Sequence, residues 1–281
     1  GISTADGNRA PEAFLESLNA LREQRGNPPL SLSNVLGGAT QSLLEKLIAT
    51  GELEDPGRSG EATAAVLAAA GYEAKTFVEA MVQSAGDPHL ILERWIRDSP
   101  ESLETLLASE FRELGVGIVD VDGSPLYYLI AALSFDDYYS PIVTDLEDLT
   151  AIRAELLEMV NAERRKARVP LLRLQPQLNR TAQDYAEDML ARDFYGHDSP
   201  EGTTVMDRAR AAGYRGRRTG ENLANGPESA AEVMRRWMAS KGHRANILSH
   251  HYREVGIGVA IGKKTDGYRI LWVQCFGKPR R

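Results

Sequence analysis

The sequence is poor in cysteine and lacks long apolar runs, and both shortages limit what the chain can be. Cys275 is the only cysteine among 281 residues, so the chain cannot form an internal disulfide, and its place in the apolar segment ILWVQCF predicts a buried structural thiol. No apolar run approaches the roughly 20 residues of a membrane-spanning helix, and the zinc-protease motif H-E-x-x-H does not occur. With 42% hydrophobic and 26% charged residues, the composition is typical of a soluble globular protein.

Two histidines and two glutamates stand out in the second half of the chain. They are His197 in FYGHDSP, Glu221 in TGENLANG, Glu232 in SAAEVMRRWMAS and His243 in KGHRANIL. Neutral imidazole nitrogen and carboxylate oxygen suit a divalent ion such as zinc, and the same groups can move protons near neutral pH. One site could therefore bind a metal, perform acid–base chemistry, or do both. The two histidines are far apart in sequence, so only the fold can bring them together.

These segments resemble the CAP superfamily, also called the SCP or cysteine-rich secretory, antigen 5 and pathogenesis-related family, in its bacterial disulfide-free form. The resemblance covers residues 157–276 and includes the Gly-Glu-Asn around Glu221, the Gly-His-Arg around His243 and a terminal Gly-Ile-Gly strand. It implies a mixed α/β (α+β) fold, an α-β-α three-layer sandwich whose large cleft carries His197, His243, Glu221 and Glu232 on its floor. Because the chain shows no signal peptide, an extracellular or cell-surface location is implied by the resemblance alone.

The chain also resembles itself when it is shifted by 142 residues. Matches at this offset include Asn19/Asn161, Arg22/Arg164, Gln41/Gln183, Tyr72/Tyr214 and Trp95/Trp237, and at an offset of 141 they include Arg112/Arg253, Gly115/Gly256 and Gly117/Gly258. A period this long is that of a domain, since solenoid repeats run about 20–50 residues. The sequence therefore predicts two tandem CAP-like domains, residues 1–143 and residues 144–281.

The first copy keeps one of the four candidate site residues. Asp55 stands opposite His197, Leu90 opposite Glu232, Glu101 opposite His243, and only Glu79 matches Glu221. His89, beside Leu90, is a poor replacement because adjacent helical positions point about 100° apart. The first domain is therefore predicted to be a degenerate CAP-like fold without the tetrad, and the second to keep it intact.

Charge is divided unevenly between the two halves. Residues 1–145 carry 9 Lys and Arg against 23 Asp and Glu, whereas residues 146–281 carry 24 against 17, with basic concentrations at residues 164–168 and 215–218. Such asymmetry can mark contact with an anionic partner or a membrane surface, although solvated surface or attraction between the halves explains it more simply. No nucleic-acid-binding motif accompanies the basic residues.

Each candidate site residue also has a purely structural interpretation. Glu232 follows Ser229 by three positions, so the two could form a capping box at the start of a helix. Glu221 could bond local backbone amides, since Glu79 persists in the copy that has lost both histidines. His197 and His243 could each be satisfied loop histidines, but their joint occurrence in the family segments favours a shared cleft.

Three functions follow from the resemblance and the residues. The favoured one is a secreted binding protein whose second domain holds a divalent metal, zinc by preference, together with a lipid, peptide or protein partner. The alternative is a metal-dependent hydrolase or protease in which Glu221 or Glu232 is the catalytic candidate that activates water. Ser199 is the only aliphatic hydroxyl close to His197 in sequence, and proximity in sequence does not make a triad. The third is an adhesive or scaffolding protein without an active cleft.

Local patterns place the site residues on secondary structure. Helices are predicted around residues 152–160, 178–189, 204–212 and 229–237, with Glu221 on a strand-like stretch and His243 in a loop. Two hairpins are predicted, residues 255–261 with 268–276 turning at Asp266-Gly267, and residues 116–121 with 126–133 turning at Asp122-Gly123. Residues 138–150 are predicted to link the two copies.

Overall fold

The fold is described by a computed structural model covering residues 9–52, 60–98, 100–265 and 267–280. It separates into two compact units, Gly1–Tyr138 and Tyr139–Arg281. This division and the boundary proposed from the sequence both fall within one helix, Phe135–Glu147.

The first unit contains a four-stranded sheet with helices on both faces. Its elements in chain order are α1 (Ala10–Gln24), β1 (Ser31–Leu32), α2 (Asn34–Thr50), α3 (Gly60–Ala69), β2 (Ala74–Gln83), α4 (Pro88–Asp98), α5 (Pro100–Leu106), β3 (Glu113–Val121), β4 (Ser124–Ser134) and α6 (Phe135–Glu147), which continues into the second unit. The strand order is β1-β3-β4-β2, with β1 parallel to β3 and the other neighbours antiparallel.

Strand β4 shows how the layers of the first unit arise. Because successive side chains of a strand point to opposite faces, its residues divide between two hydrophobic clusters. Tyr127, Leu129, Ala131 and Leu133 pack with α1, α4 and α5, whereas Leu126, Tyr128, Ile130 and Ala132 pack with α2 and α3. A strand buried on both faces in this way is the centre of an α-β-α sandwich.

The second unit repeats this order. Its elements are α7 (Leu149–Lys166), β5 (Arg173–Leu174), α8 (Pro176–Arg192), α9 (Val205–Ala211), β6 (Arg218–Asn225), α10 (Ala230–Ala239), α11 (Lys241–Ile247), β7 (Glu254–Lys264) and β8 (Gly267–Lys278). The strand order β5-β7-β8-β6 matches that of the first sheet. Helices α8 and α9 cover one face over Leu271, Val273 and Cys275, and α7 and α10, which contact each other, form the other helical layer. The two predicted α-β-α sandwiches are therefore confirmed.

The matched polar residues of the two copies make the same scaffold bonds. Arg22 is fully buried and donates to the backbone oxygens of Pro28, Leu106, Ala108 and Phe111, while Arg164 donates to those of Pro170, Ile247, Ser249 and Tyr252. Asn19 donates its side-chain amide to the Leu30 backbone oxygen and accepts the Leu30 backbone amide. Asn161 forms the same two hydrogen bonds with Leu172. The internal repeat thus includes side-chain hydrogen bonds that hold each sandwich together.

Both predicted hairpins are present, and the strands of the second hairpin are longer than those of the first. In the first unit Val121 pairs with Ser124 across Asp122 and Gly123, which both have positive φ, as a tight type I′ hairpin requires. In the second unit the last pair is Lys264 with Gly267, and β7 and β8 are longer than their counterparts. Asp266 of the predicted turn lies outside the described residues.

One local prediction was wrong, because His243 lies in helix α11 and not in a loop. The expected linker, residues 138–150, contains the division between the two units. Most of it is helical, with Ser134 Oγ accepting the amide of Asp137 at the start of α6 and Pro141 lying inside that helix. Among the described residues, no helix is long and apolar enough to cross a membrane.

Candidate functional site

The centre of the candidate site is Glu221 on β6. Strand β6 lies at the edge of its sheet, and Glu221 is directly opposite Cys275 of β8, so both side chains face the α8 layer. The Glu221 side chain is only 2% exposed, and its carboxylate is shared by two basic partners. Oε1 lies 2.9 Å from His197 Nδ1, and Oε2 accepts a 2.7 Å hydrogen bond from Arg208 Nη2. A buried carboxylate needs such partners, because an unpaired buried charge is costly.

Arg208 fixes the loop that carries His197. It lies on α9, whose N-terminus is closed by a capping box between Thr204 and Asp207. Besides Glu221, the Arg208 guanidinium donates to the backbone oxygens of His197 at 3.0 Å and Thr203 at 2.6 Å. It also stacks on the ring of Tyr185, 3.3 Å from the ring centroid. The Arg208 guanidinium therefore connects the His197 loop, helix α9 and strand β6 through its hydrogen bonds.

His243 reaches the same region from α11. The side chain of Asn222, next to Glu221 on β6, donates to the backbone oxygen of His243 at 3.2 Å. Asn246 donates to the Glu221 backbone oxygen at 3.1 Å and to Asn222 Oδ1 at 2.9 Å. These bonds hold the first residues of α11 beside β6, so that His243 lies close enough for its pKa to respond to the charge of His197.

The two histidines differ in their proton affinity. The hydrogen bond to Glu221 is the main reason that the pKa of His197 is raised above 6.5. Burial, followed by the charge of His197, lowers the pKa of His243 below that value. His197 is the more exposed, with 62% of its side chain open to solvent. At neutral pH, His243 is therefore a neutral imidazole beside a His197 that holds its proton more strongly.

Glu232 lies at the start of α10, where one half of the capping box predicted from its spacing is present. Ser229 Oγ accepts the amide of Glu232 at 3.2 Å, which caps the start of α10. The Glu232 carboxylate accepts the backbone amide of Glu228 at 2.8 Å and a bond from Arg236. The amide of Glu228 is the chief cause of the lowered pKa of Glu232. Both carboxylate oxygens are thus engaged at a helix start.

The two imidazoles have part of the chemistry that metal ligands need. A ligating histidine commonly gives one ring nitrogen to a carboxylate and the other to the metal, and His197 has the first of these bonds, from Nδ1 to Glu221. The lowered pKa of His243 keeps its ring neutral, as a ligand requires. Within the part of the chain that the structure describes, no group of three His, Cys, Asp or Glu side chains is arranged to hold a metal. His197, His243, Glu221 and Glu232 as metal ligands therefore all stay a prediction.

The nucleophile candidates are occupied elsewhere. Ser199 is buried, and its Oγ accepts the amide and the hydroxyl of Thr203 at 3.1 and 2.8 Å. Cys275 is fully buried, as predicted, and burial raises the pKa of its thiol well above the usual value. Neither hydroxyl nor thiol is therefore presented to His197.

The first unit keeps the buried glutamate but gives it different partners. Thr63 Oγ1 donates to Glu79 Oε1 at 2.5 Å, and the hydroxyl of Tyr128 bonds the same oxygen. Leu90 is 48% exposed on α4, and His89 bonds Ser17 on α1 at 2.8 Å, so His89 does not replace the lost glutamate. Asp55 lies outside the described residues, as does the side chain of Glu101.

Sequence reasoning missed Arg208 and Tyr185. The residue opposite Arg208 at the 142-residue offset is Val66. This difference does not single out Arg208, because residues 146–281 carry 24 Lys and Arg against 9 in residues 1–145. The stacking of Tyr185 under the guanidinium depends on how α8 packs on α9, and spacing does not encode it.

A comparison with protein-family models gives one match inside each unit. A family model described as CAP, Cysteine-rich secretory protein family, matches residues 15–132 and 157–276. A solved structure of an extracellular protein containing a SCP domain from Bacillus anthracis str. Ames is 20% identical, with a TM-score of 0.43, covering 58% of this chain and 59% of that chain.

Two curated proteins of Bacillus subtilis (strain 168) are similar in sequence. The uncharacterized protein YkwD is 32% identical over 110 residues, which is 39% of this chain and 43% of YkwD. The uncharacterized membrane protein YlbC is 26% identical over 123 residues, which is 44% of this chain and 36% of YlbC. The matches therefore span less than half the length of either relative.

Proposed function

This chain belongs to the CAP family, and from that premise we propose that its second unit is a ligand-binding domain holding a divalent metal on His197 and His243. Zinc is the preferred ion, because imidazole is among its usual ligands. Glu221 would orient His197 and raise its basicity, and Arg208 would hold Glu221 in place. The metal would supply a Lewis-acidic centre to which a ligand oxygen could bind.

The observation that carries this proposal is the connection from Arg208 through Glu221 to His197. The buried Glu221 carboxylate is bonded by Arg208 and by Nδ1 of His197. The other ring nitrogen of this exposed imidazole, Nε2, is not used in the bond to Glu221. The first unit has hydroxyl partners at the matched Glu79, so the fold does not need a histidine at this place. Function, and not packing, then explains why the second unit keeps the histidine and the arginine together.

The partner is proposed by class only. A lipid, peptide or protein ligand held at the cell surface or outside the cell suits an exposed cleft of this family. A hydrolase is less well supported, because Ser199 and Cys275 are unsuited as nucleophiles and both oxygens of Glu221 are engaged. A scaffolding role without an active cleft would leave the His197 and Arg208 arrangement unexplained.

Calorimetry with zinc tests the proposal. The full chain should bind one zinc per molecule, and the double variant His197→Ala, His243→Ala should lose that binding. The double variant His250→Ala, His251→Ala is a matched control in the same unit and should bind as the parent does. Affinity should fall as pH drops through the pKa of His197, which is raised above 6.5, since protonated imidazole does not coordinate.

Two further results would decide the roles within the site. Glu221→Gln should weaken zinc binding about 10- to 100-fold, as changes to groups that orient a ligating histidine commonly do. If zinc affinity is unchanged in the His197, His243 variant, or is lost only in the His250, His251 control, the proposed metal site is wrong.

A further inference from the structure

Three side-chain amides connect strands β8 and β6 with helix α11 in the second unit. Gln274 on β8 and Asn222 on β6 are directly opposite each other in the sheet, and both are fully buried. Asn222 Nδ2 donates to Gln274 Oε1 at 3.1 Å and to the backbone oxygen of His243 at 3.2 Å. Asn222 Oδ1 accepts a 2.9 Å hydrogen bond from Asn246 Nδ2 on α11. We call Gln274, Asn222 and Asn246 the amide network.

The amide network ends on backbone groups at both sides of the candidate site. A side-chain amide nitrogen carries two hydrogens, and Asn246 Nδ2 also donates to the Glu221 backbone oxygen at 3.1 Å. One end of the network therefore holds the helix that carries His243. The other end holds the strand position of the glutamate that bonds His197. The network thus joins the two backbone segments on which the candidate site is built.

Gln274 determines which way the side-chain amide of Asn222 points. Turning that amide over by 180° would exchange its donor and its acceptor. Because the Gln274 oxygen accepts one hydrogen of Asn222, the second hydrogen is directed to the backbone oxygen of His243. In the opposite orientation, the Asn222 oxygen would face two other oxygens and bond neither. Gln274 is therefore the residue that selects the orientation seen in the structure.

Gln274 is a costly residue to keep in this place. Among the described residues, its Nε2 has no hydrogen-bond partner, although the side chain is fully buried. A buried donor without a partner costs about 1–3 kcal/mol. An apolar side chain of similar size would avoid this cost, so packing alone does not explain the glutamine.

The first unit shows that the sandwich forms without the amide pair. By sheet register, Ala80 and Leu129 occupy the places of Asn222 and Gln274, and both belong to the hydrophobic cluster with α1, α4 and α5. Composition does not explain the difference, because residues 1–145 contain 7 Asn and Gln and residues 146–281 contain 9. The unit that has lost both histidines has an apolar pair here, and the unit that keeps them has the amides.

We propose that Gln274 is a positioning residue for the metal site, because it fixes Asn222 and, through Asn222, the place of His243 beside Glu221. This inference rests on the proposed function of the second unit as a metal-binding domain. Zinc holds imidazole nitrogen at about 2.0–2.1 Å, so a small shift of α11 would weaken binding. Gln274 acts through hydrogen bonds and is not itself a ligand.

Calorimetry with zinc on the full chain tests the role of Gln274. The variant Gln274→Leu introduces the side chain of the matched Leu129 and should bind zinc about 10- to 100-fold more weakly, as changes to residues that orient ligands commonly do. The control Asn161→Leu removes a buried amide whose two hydrogen bonds go to Leu172 in the same unit. It should lose stability in urea but bind zinc within about twofold of the parent, because it shares no partner with the site.

A double-mutant cycle with Asn222→Ala tests whether Gln274 acts through Asn222. Effects of residues that work through one hydrogen-bond network are not additive. The double variant Asn222→Ala, Gln274→Leu has the apolar pair of the first unit and should bind zinc within about twofold of Asn222→Ala alone. Losses of affinity that multiply would mean that Gln274 acts independently, and the proposal would be wrong. If Gln274→Leu does not fold, Gln274→Met gives the same comparison with an unbranched side chain.

Hydrogen exchange in the metal-free chain separates this inference from the metal site itself. In Gln274→Leu, the amides of α11 should exchange faster, while those of α9, which also has seven residues and is closed by its own capping box, should be unchanged. Equally faster exchange in both helices would mean a general loss of stability and no positioning role. A parent chain that binds no zinc refutes the metal site and, with it, the role of Gln274 there. Zinc binding by the parent with unchanged affinity in Gln274→Leu overturns the inference alone.

Discussion

Glu221 and Glu79 show how one residue can be kept for different reasons in two copies of a fold. Both lie on the edge strand of their sheet, opposite a buried apolar or thiol side chain of the central strand. Glu79 accepts hydrogen bonds from neutral hydroxyls, while Glu221 accepts them from an arginine and a histidine. In both units this buried glutamate bonds neighbouring side chains of its sandwich. Only in the second unit does one of those partners, His197, have its pKa changed by the bond.

The pKa values of the two histidines give the first prediction at this scale. In the metal-free protein, His197 should titrate above 6.5 and His243 below it. The raised pKa means that the bond of His197 to Glu221 stabilises the fold fully below about pH 6.5 and ceases to do so as pH rises through the folded-state value. The lowered pKa of His243 contributes stability above about pH 6.5 and loses it as pH falls through its own value.

Imidazole proton shifts followed by NMR in the presence of a chelator would check this order. Glu221→Gln should bring the His197 pKa down, because the hydrogen bond to the carboxylate is the main cause of its rise. Glu79→Gln, at the matched position of the first unit, should leave both histidine titrations unchanged. A His197 that titrates below His243 in the parent chain would contradict the assigned hydrogen bond.

At the scale of elements, two glycines let β7 lie directly on helix α8. A Cβ added at Gly256 would come within 2.0 Å of the Leu178 backbone, and one at Gly258 within 2.4 Å of the Ala182 backbone. In the first unit, Gly117 occupies the position of Gly258. A Cβ at Gly117 would lie 3.0–3.2 Å from backbone atoms of α2, so the strand and the helix are farther apart there. A strand and a helix that approach so closely exclude any side chain between them.

The matched glycines therefore predict unequal effects of one methyl group. Gly258→Ala should destabilise the chain by about 3 kcal/mol or more, because backbone on both sides must move and overpacking of this kind costs about 1–3 kcal/mol even where side chains can yield. Gly117→Ala should cost about 1 kcal/mol, since shifts of a few tenths of an ångström suffice. Urea unfolding of both variants measures the difference, and equal losses would show that the two contacts adapt equally.

The sequence predicts those elements whose signals are local. Thr204 caps α9 and Asp122-Gly123 turns a hairpin, and both could be recognised because the same few residues make the bonds. The helical stretch over residues 138–150 was missed, because Pro141 suggests a break and the cap at Ser134 lies before the expected linker. The helix at His243 is short. Asn222 on β6 donates to the His243 backbone oxygen and Asn246 donates to the Glu221 backbone oxygen, and spacing alone does not predict these bonds.

On the scale of the whole molecule, each unit carries its own core and its own buried arginine. The carbonyl groups bonded by Arg22 all belong to the first unit, and those bonded by Arg164 all belong to the second. The candidate site is likewise built from residues 185–246, within the second unit. The first unit is strongly acidic and has lost the histidines, so we expect it to contribute stability, spacing or partner contact, and no metal chemistry.

This division of roles predicts the behaviour of the second unit alone. Residues 139–281 should fold cooperatively, because the sheet, both helical layers and the buried Arg164 bonds are all contained in that segment. They should also bind zinc with the affinity of the full chain, since His197, Glu221, Arg208 and His243 lie within it. Any association with a separately expressed first unit should weaken as salt rises, because exposed charges are screened beyond about 8 Å at physiological ionic strength. Circular dichroism and calorimetry test the first two expectations, and a folded second unit that binds no zinc would mean that the first unit helps to build the site.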